Sequence, residues 1–150
     1  STMTGHVVLY RACLHDDQNT IPMWFQEVIS SYVSTLNSCA YSYANHWANA
    51  CHLMSDPEKA EMIEAAFQIR APENAFEGAE LAILRYAEKL TLSPGDMQEA
   101  DIAALKNKGI SDGEILETNQ IIGYFNYVNR LLNGLGVSTD GDIVGYYKKD

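Results

Sequence analysis

Apolar residues recur along this chain at intervals of three and four, and no stretch alternates long enough to make a strand. The pattern predicts an all-α protein. From Pro22 to Leu36 the residues Phe25, Val28, Ile29, Tyr32, Val33 and Leu36 fall at helical spacing, with Pro22 suited to the first turn. Asn37-Ser38 interrupts that pattern and offers a cap to a second helix, from about Cys39 to Met54. Ser55-Asp56-Pro57-Glu58 reads as a capping box that starts a third helix, with Ser55 as the cap. Ala71-Pro72-Glu73-Asn74 is a break before a helix carrying Leu81, Ile83, Leu84, Ala87 and Leu90, which Ser93-Pro94-Gly95-Asp96 ends. A short helix through Ile102, Ala103 and Leu105 stops at Gly109. Ser111 and Glu114 then open a long last helix through Ile115, Ile121, Ile122, Phe125, Val128 and Leu132, closed by Gly134 and Gly136. Beyond it, a glycine-rich tail with Ile143, Val144, Tyr146 and Tyr147 is expected either to be loose or to dock on a neighbouring subunit. No repeat or linker divides the chain, so residues 1–150 are expected to form a single helical-bundle domain, with its core at about 22–137 and the tail at 138–150.

Composition narrows the function classes. At 150 residues, 47% hydrophobic and 20% charged, the chain is an ordinary globular protein able to bury roughly two-thirds of its unfolded surface. Twenty acidic against ten basic side chains leave a net charge of −10, which repels phosphate backbones and argues against nucleic acid as a partner. No apolar run approaches the roughly 20 residues of a membrane span, and no signal sequence precedes the first helix, so the default compartment is the cytoplasm. Ser1-Thr2 ahead of Met3 reads as a remnant of expression engineering. Three cysteines, Cys13, Cys39 and Cys51, are an odd set, which favours a reactive or simply buried thiol over a disulfide framework.

Charge is missing from one long stretch: between Gln18 and Ser55 the only formally charged side chain is Glu27. Glu27, Ser30 and Ser34 share a polar stripe of their helix, opposite its apolar face. A desolvated carboxylate there would hold its proton more tightly and serve as an acid or base near neutrality. An exposed glutamate in accidentally neutral surroundings accounts for the sequence equally well. Cys39, Ser42 and His46 lie three and four apart on the next helix and so share a face. Cys39 would sit at the helix N-terminus, where the dipole favours a thiolate, and His46 could exchange a proton with residue 42. A lone helical histidine is more often structural.

The run from Glu27, across twelve positions, to Cys39-Ala40-Tyr41-Ser42-Tyr43-Ala44-Asn45-His46 resembles the signature of the alkylhydroperoxidase AhpD-like group of the carboxymuconolactone decarboxylase superfamily. Phe125-Asn126-Tyr127-Val128-Asn129-Arg130-Leu131, with Gly134-Leu135-Gly136-Val137, resembles the ending of its peroxidase-related branch, and Ser111-Asp112-Gly113-Glu114-Ile115-Leu116 is similar too. The likeness covers about residues 22–137. It implies an oligomeric antioxidant enzyme, commonly a trimer or hexamer, that reduces a peroxide substrate with electrons from a thiol reductant protein or dithiol donor. It implies no cofactor and no metal. The family's second cysteine attacks the peroxide with help from Glu27 and His46, and the first, here Cys39, closes a disulfide on the resulting sulfenate.

This sequence departs from the family at the attacking position, where it has Ser42. A serine hydroxyl is hardly ionised near neutrality and forms neither sulfenate nor disulfide, so the redox cycle is lost while the scaffold is kept. Together with Ser1-Thr2, this favours an engineered variant of an active parent. A naturally degenerate relative acting as a binding protein is the alternative, and a carboxymuconolactone decarboxylase-like lyase is another, disfavoured by Cys39. Cys51 cannot replace the missing thiol, being about 18 Å from Cys39 along a continuous helix. A metal site from His46, His52, Cys51 and Glu27 has poor spacing. Tyr41, Tyr43, Trp47, Trp24 and Tyr124 are expected in the core or an interface more often than around a ligand; Tyr124 and Asn126 are also candidates for a pocket wall.

Overall fold

The computed structural model describes residues 1–147, so the last three residues of the expected tail lie outside the described part. Among the described residues the chain is all-helical: α1 (Thr2–Leu14), α2 (Met23–Leu36), α3 (Ala40–Met54), α4 (Pro57–Gln68), α5 (Gly78–Leu92), α6 (Glu99–Lys106) and α7 (Asp112–Leu135). Short 3-10 turns at Pro72–Asn74 and Pro94–Asp96 mark the two proline breaks. No helix among the described residues is long and apolar enough to cross a membrane.

The middle of the fold is α2, which packs against α3, α5 and α7. Its apolar face supplies Val28, Ile29, Tyr32 and Val33, none of them exposed at all. Its polar stripe is buried as well. The helix can carry hydroxyls there because Ser30, Ser31 and Ser34 each donate to the carbonyl four residues back, at 2.7, 2.7 and 2.8 Å. Pro22 stands as the cap rather than in the first turn, its carbonyl accepting from the Phe25 and Gln26 amides.

A tight turn joins α2 to α3. The Cys39 amide donates to the Ser34 carbonyl at 2.8 Å, and Ser38 takes a left-handed conformation at φ 52°. Neither Asn37 nor Ser38 caps α3, contrary to the sequence expectation. Cys39 is itself the cap residue and makes no side-chain cap bond, while Asn37 is turned to α7: its amide donates to Asn126 and Asn129, each at 3.1 Å. Asn133 in turn donates to the Asn37 carbonyl. The next junction also differs. Ser55 terminates α3 in a left-handed conformation, and Asp56 caps α4 by accepting from the Lys59 amide at 3.0 Å. With Ser55 used as a terminator, the expected box shifts by one residue and loses its glutamate arm. The Ser111–Glu114 box on α7 forms in full, and Gly136 ends that helix at φ 63°.

Two peripheral segments complete the structure. Helix α1 has no counterpart in the sequence reading: Val7, Val8 and Leu9 are exposed, and only Cys13 and Leu14 are buried. It lies on α7, with Tyr10 and His6 against Tyr124. The Glu117 carboxylate holds the following loop by accepting from the Thr20 and Ile21 amides. At the other end, the tail docks on its own chain. Gly145 N–H donates to Asn45 Oδ1 at 3.1 Å and Tyr146 N–H to Asn49 Oδ1 at 2.8 Å. Gly145 is required there: its φ is 89°, and an added Cβ would come within 3.3 Å of Ala48.

Candidate functional site

Glu27 is the first member of the polar stripe of α2, one turn before Ser30 and Ser31, and side chains of α3 reach it. It is 1% exposed. One carboxylate oxygen meets His46 Nδ1 at 2.6 Å and the other accepts from Asn49 Nδ2 at 3.3 Å. A buried carboxylate is tolerable only with partners of this kind. His46 and Asn49 come from α3 three residues apart and so reach the same carboxylate from successive turns. With Nδ1 engaged, Nε2 is the ring nitrogen left to exchange a proton with a ligand. The imidazole is held edge-on against Phe125, with ring centres 4.6 Å apart, and Tyr146 lies 5.7 Å away on another side.

Ser42 sits one turn before His46 and is buried at 2%. Its oxygen lies 2.8 Å from Ser34 Oγ, which is equally close to the Ser30 carbonyl. Ser34 has one proton for these two acceptors, so when it turns to the carbonyl the Ser42 hydroxyl returns the bond. Asn129, fully buried on α7, donates to the same Ser34 oxygen at 3.2 Å. The residue at position 42 is therefore held by a network that runs from α2 through to α7.

Ser42 and His46 both line a cavity of about 510 Å³. Helix α1, α7 and the tail supply its other walls, among them Tyr10, Tyr124 and Tyr146. Cys39 takes no part in it. That thiol, 1% exposed, lines a second hollow of about 360 Å³ with Tyr43, Glu64 and Phe67. Burial pushes the Cys39 thiol above its ordinary value, and the Ser42 backbone amide, pulling the other way, does not overcome it. Against the expected helix-terminal thiolate, burial therefore favours the protonated thiol.

Of the aromatic residues singled out in the sequence, Tyr41 and Tyr124 reach the large cavity. Trp47 is in the core, Tyr43 bonds Glu64 at 3.1 Å and Trp24 carries Lys59 over its ring. Asn126 braces the helix ends and does not line the cavity. Asn45 and Asn49 escaped the sequence reading, although both lie in the same uncharged stretch and three and seven positions beyond Ser42 on the helical repeat. His6 and Tyr10 gave no local signal at all, and Tyr146 was marked only as part of a tail expected either to be loose or to dock on a neighbouring subunit. Cys13, Cys39 and Cys51 are all free thiols. No group of three His, Cys, Asp or Glu side chains among the described residues is placed to hold a metal ion, and His52 stacks on Tyr147 instead.

No family model and no curated protein matches this sequence. Solved structures do share its fold. An uncharacterized peroxidase-related protein from Silicibacter sp. TM1040 superposes with a TM-score of 0.80 at 24% identity, over 91% of this chain and 69% of that one. An alkylhydroperoxidase AhpD core protein, also peroxidase-related, from Ralstonia eutropha JMP134 gives 0.78 at 21%, over 89% and 67%. A cysteine-to-alanine variant of the debrominase Bmp8, in complex with 2,3,4-tribromopyrrole, gives 0.74 at 19%, over 90% and 68%. The all-helical fold of this chain is the AhpD-like one, a fold whose members differ in the reactions named for them.

Proposed function

We propose that this chain is a member of the AhpD-like, peroxidase-related branch of the carboxymuconolactone decarboxylase superfamily, an antioxidant thiol peroxidase in which Ser42 stands where the parent enzyme carries its attacking cysteine. The buried Glu27–His46 pair beside a cavity that reaches position 42 carries this reading. With a thiol at 42, His46 Nε2 takes its proton, and the thiolate attacks the distal peroxide oxygen. The O–O bond breaks, sulfur is oxidised to a sulfenic acid and the alcohol leaves with the proton returned by His46. The Cys39 thiol then displaces hydroxide from the sulfenate as water, forming a disulfide that a dithiol donor reduces. Glu27 orients the imidazole and stabilises it when charged. The raised affinity of Cys39 for its proton suits a resolving thiol, which has no need to be ionised at rest.

Serine at 42 stops this sequence at the first step. The Ser42→Cys variant is expected to consume an organic hydroperoxide in the presence of a dithiol, while the chain as written is near the uncatalysed rate. Equal rates for the two proteins would overturn the assignment. Assembly into a trimer or hexamer in the cytoplasm belongs to the same reading. The exposed Val8, Leu131 and Leu135 along α1 and α7 support an interface there, which sedimentation would detect. A second reading, a binding protein without turnover, is favoured by the way Ser34 satisfies the serine hydroxyl. It predicts ligand binding by this chain and no gain of peroxidase activity in Ser42→Cys.

A further inference from the structure

From the walls of the large cavity we infer that its ligand is an uncharged, flat aromatic molecule bearing one oxygen function. The inference rests on the reading of this cavity as the reaction chamber and goes on to name what enters it. About 510 Å³ is the size of a small organic ligand rather than of hydrogen peroxide, which would leave most of the space unfilled.

The walls carry no permanently charged side chain: no Lys, Arg, Asp or Glu lines the cavity. Its apolar surface comes from Val7, Val128 and Leu132, and its flat surfaces from the rings of tyrosines on α1, α3, α7 and the tail. Two of those tyrosines have their hydroxyls already engaged: Tyr10 with His15 Nε2 at 2.9 Å and Tyr124 with His6 Nε2 at 3.1 Å. The same bonds occupy two of the cavity's three imidazoles. An anionic ligand would find no Lys or Arg there and would approach a protein of net charge −10. His46 Nε2, beside Ser42, is the ring nitrogen free to meet a ligand at one end, and the hydroxyls of Tyr41 and Tyr146 offer further hydrogen bonds along the wall. A molecule that stacks its ring among the tyrosines and turns an oxygen toward Nε2 satisfies both ends. In the peroxidase reading that molecule is an aryl-substituted organic hydroperoxide, and the alcohol left after reduction fits the same way.

Binding by the unaltered chain tests this without any turnover. Calorimetric titration of 2-naphthol is expected to show one saturable site, with 2-naphthoate and the saturated decahydro-2-naphthol each at least about tenfold weaker. Filling the cavity by Val128→Trp, or by Leu132→Trp should the first fold poorly, is expected to remove binding while the circular dichroism spectrum and melting temperature are kept. Equal affinity for the carboxylate would overturn the exclusion of charge, equal affinity for the saturated alcohol would overturn the aromatic preference, and absence of 2-naphthol binding would overturn both. The peroxidase reading fails separately: if 2-naphthol binds and Ser42→Cys still consumes no hydroperoxide, the cavity assignment stands and the redox one falls.

Discussion

The turn from Cys39 to Ser42 divides two hollows that differ in nearly everything except their nearness to it. On one side, Ser42 faces a roomy aromatic cavity together with an imidazole backed by a buried carboxylate. On the other, Cys39 faces a smaller hollow that contains no histidine, its nearest acid being Glu64, already bonded to Tyr43. Three residues of helix rotate the side chain by less than a full turn, yet that rotation decides whether it meets a proton acceptor. The asymmetry teaches that the two positions of such a pair are not interchangeable. Residue 42 opens on the larger cavity and residue 39 on the smaller hollow.

The largest effect is expected from putting the thiol on one side only. In a protein carrying Ser42→Cys together with Cys39→Ser, dithiol-driven turnover is expected to fall about a thousandfold below Ser42→Cys alone, while a sulfenic-acid probe labels position 42 after peroxide treatment. Labelling absent from that protein, but present at Cys39 in the unaltered chain, would reverse the two roles.

Next comes the carboxylate that distinguishes the sides. Glu27→Ala leaves His46 and Asn49 facing an empty buried space, and urea unfolding is expected to show a loss of about 3–5 kcal/mol. Glu27→Gln keeps the shape and is expected to lose less stability. In the Ser42→Cys background it should nevertheless lower the peroxidase rate about a hundredfold, because the imidazolium formed on proton transfer is no longer stabilised. A rate unaffected by Glu27→Gln would remove the carboxylate from the chemistry and leave it a structural role.

Asn49 ties the cavity side to the tail, since its amide donates to Glu27 and its oxygen accepts from Tyr146. Asn49→Ala is expected to lose about 1–3 kcal/mol and to expose the tail to limited proteolysis between Val137 and Tyr147. Protection equal to that of the unaltered chain would show that Asn45 and Gly145 suffice to hold it.

The smallest effect is expected at alkaline pH. Burial, with Glu27 adding to it, pushes the Tyr147 hydroxyl from about 10 up to about 12. A group whose proton is held more tightly in the docked state contributes stability that is complete below its ordinary value and lost as the pH rises through the raised one. Docking of the tail should therefore weaken between pH about 10 and 12, seen as tyrosinate absorbance rising together with protease sensitivity. Burial raises the neighbouring Tyr146 hydroxyl to about 12 as well, so Tyr147→Phe should reduce that dependence and Tyr146→Phe together with it should abolish it.

Much of the helical architecture could be read along the chain because apolar spacing, proline breaks and the Ser111–Glu114 box are local features. The helix ends at residues 37–39 and 55–58 could not, because each cap had a competing use. Asn37 is claimed by α7, and Ser55 by the end of α3. Helix α1 was hidden for another reason: a helix that buries only its last turn has no need of a full apolar stripe.

What the sequence determined alone is the class, all-α, and the placing of Glu27, Ser42 and His46 on two consecutive helices in a stretch otherwise without charge. These follow from periodicity and composition, which act within a few residues of one another. Only tertiary packing decided that Glu27 is buried against His46 and Asn49, that Cys39 opens away from them, and that α1 and the tail close the cavity with tyrosines. Those outcomes depend on which helix faces meet across the core, and the energy of burying a carboxylate or a ring belongs to that meeting rather than to either strip of sequence.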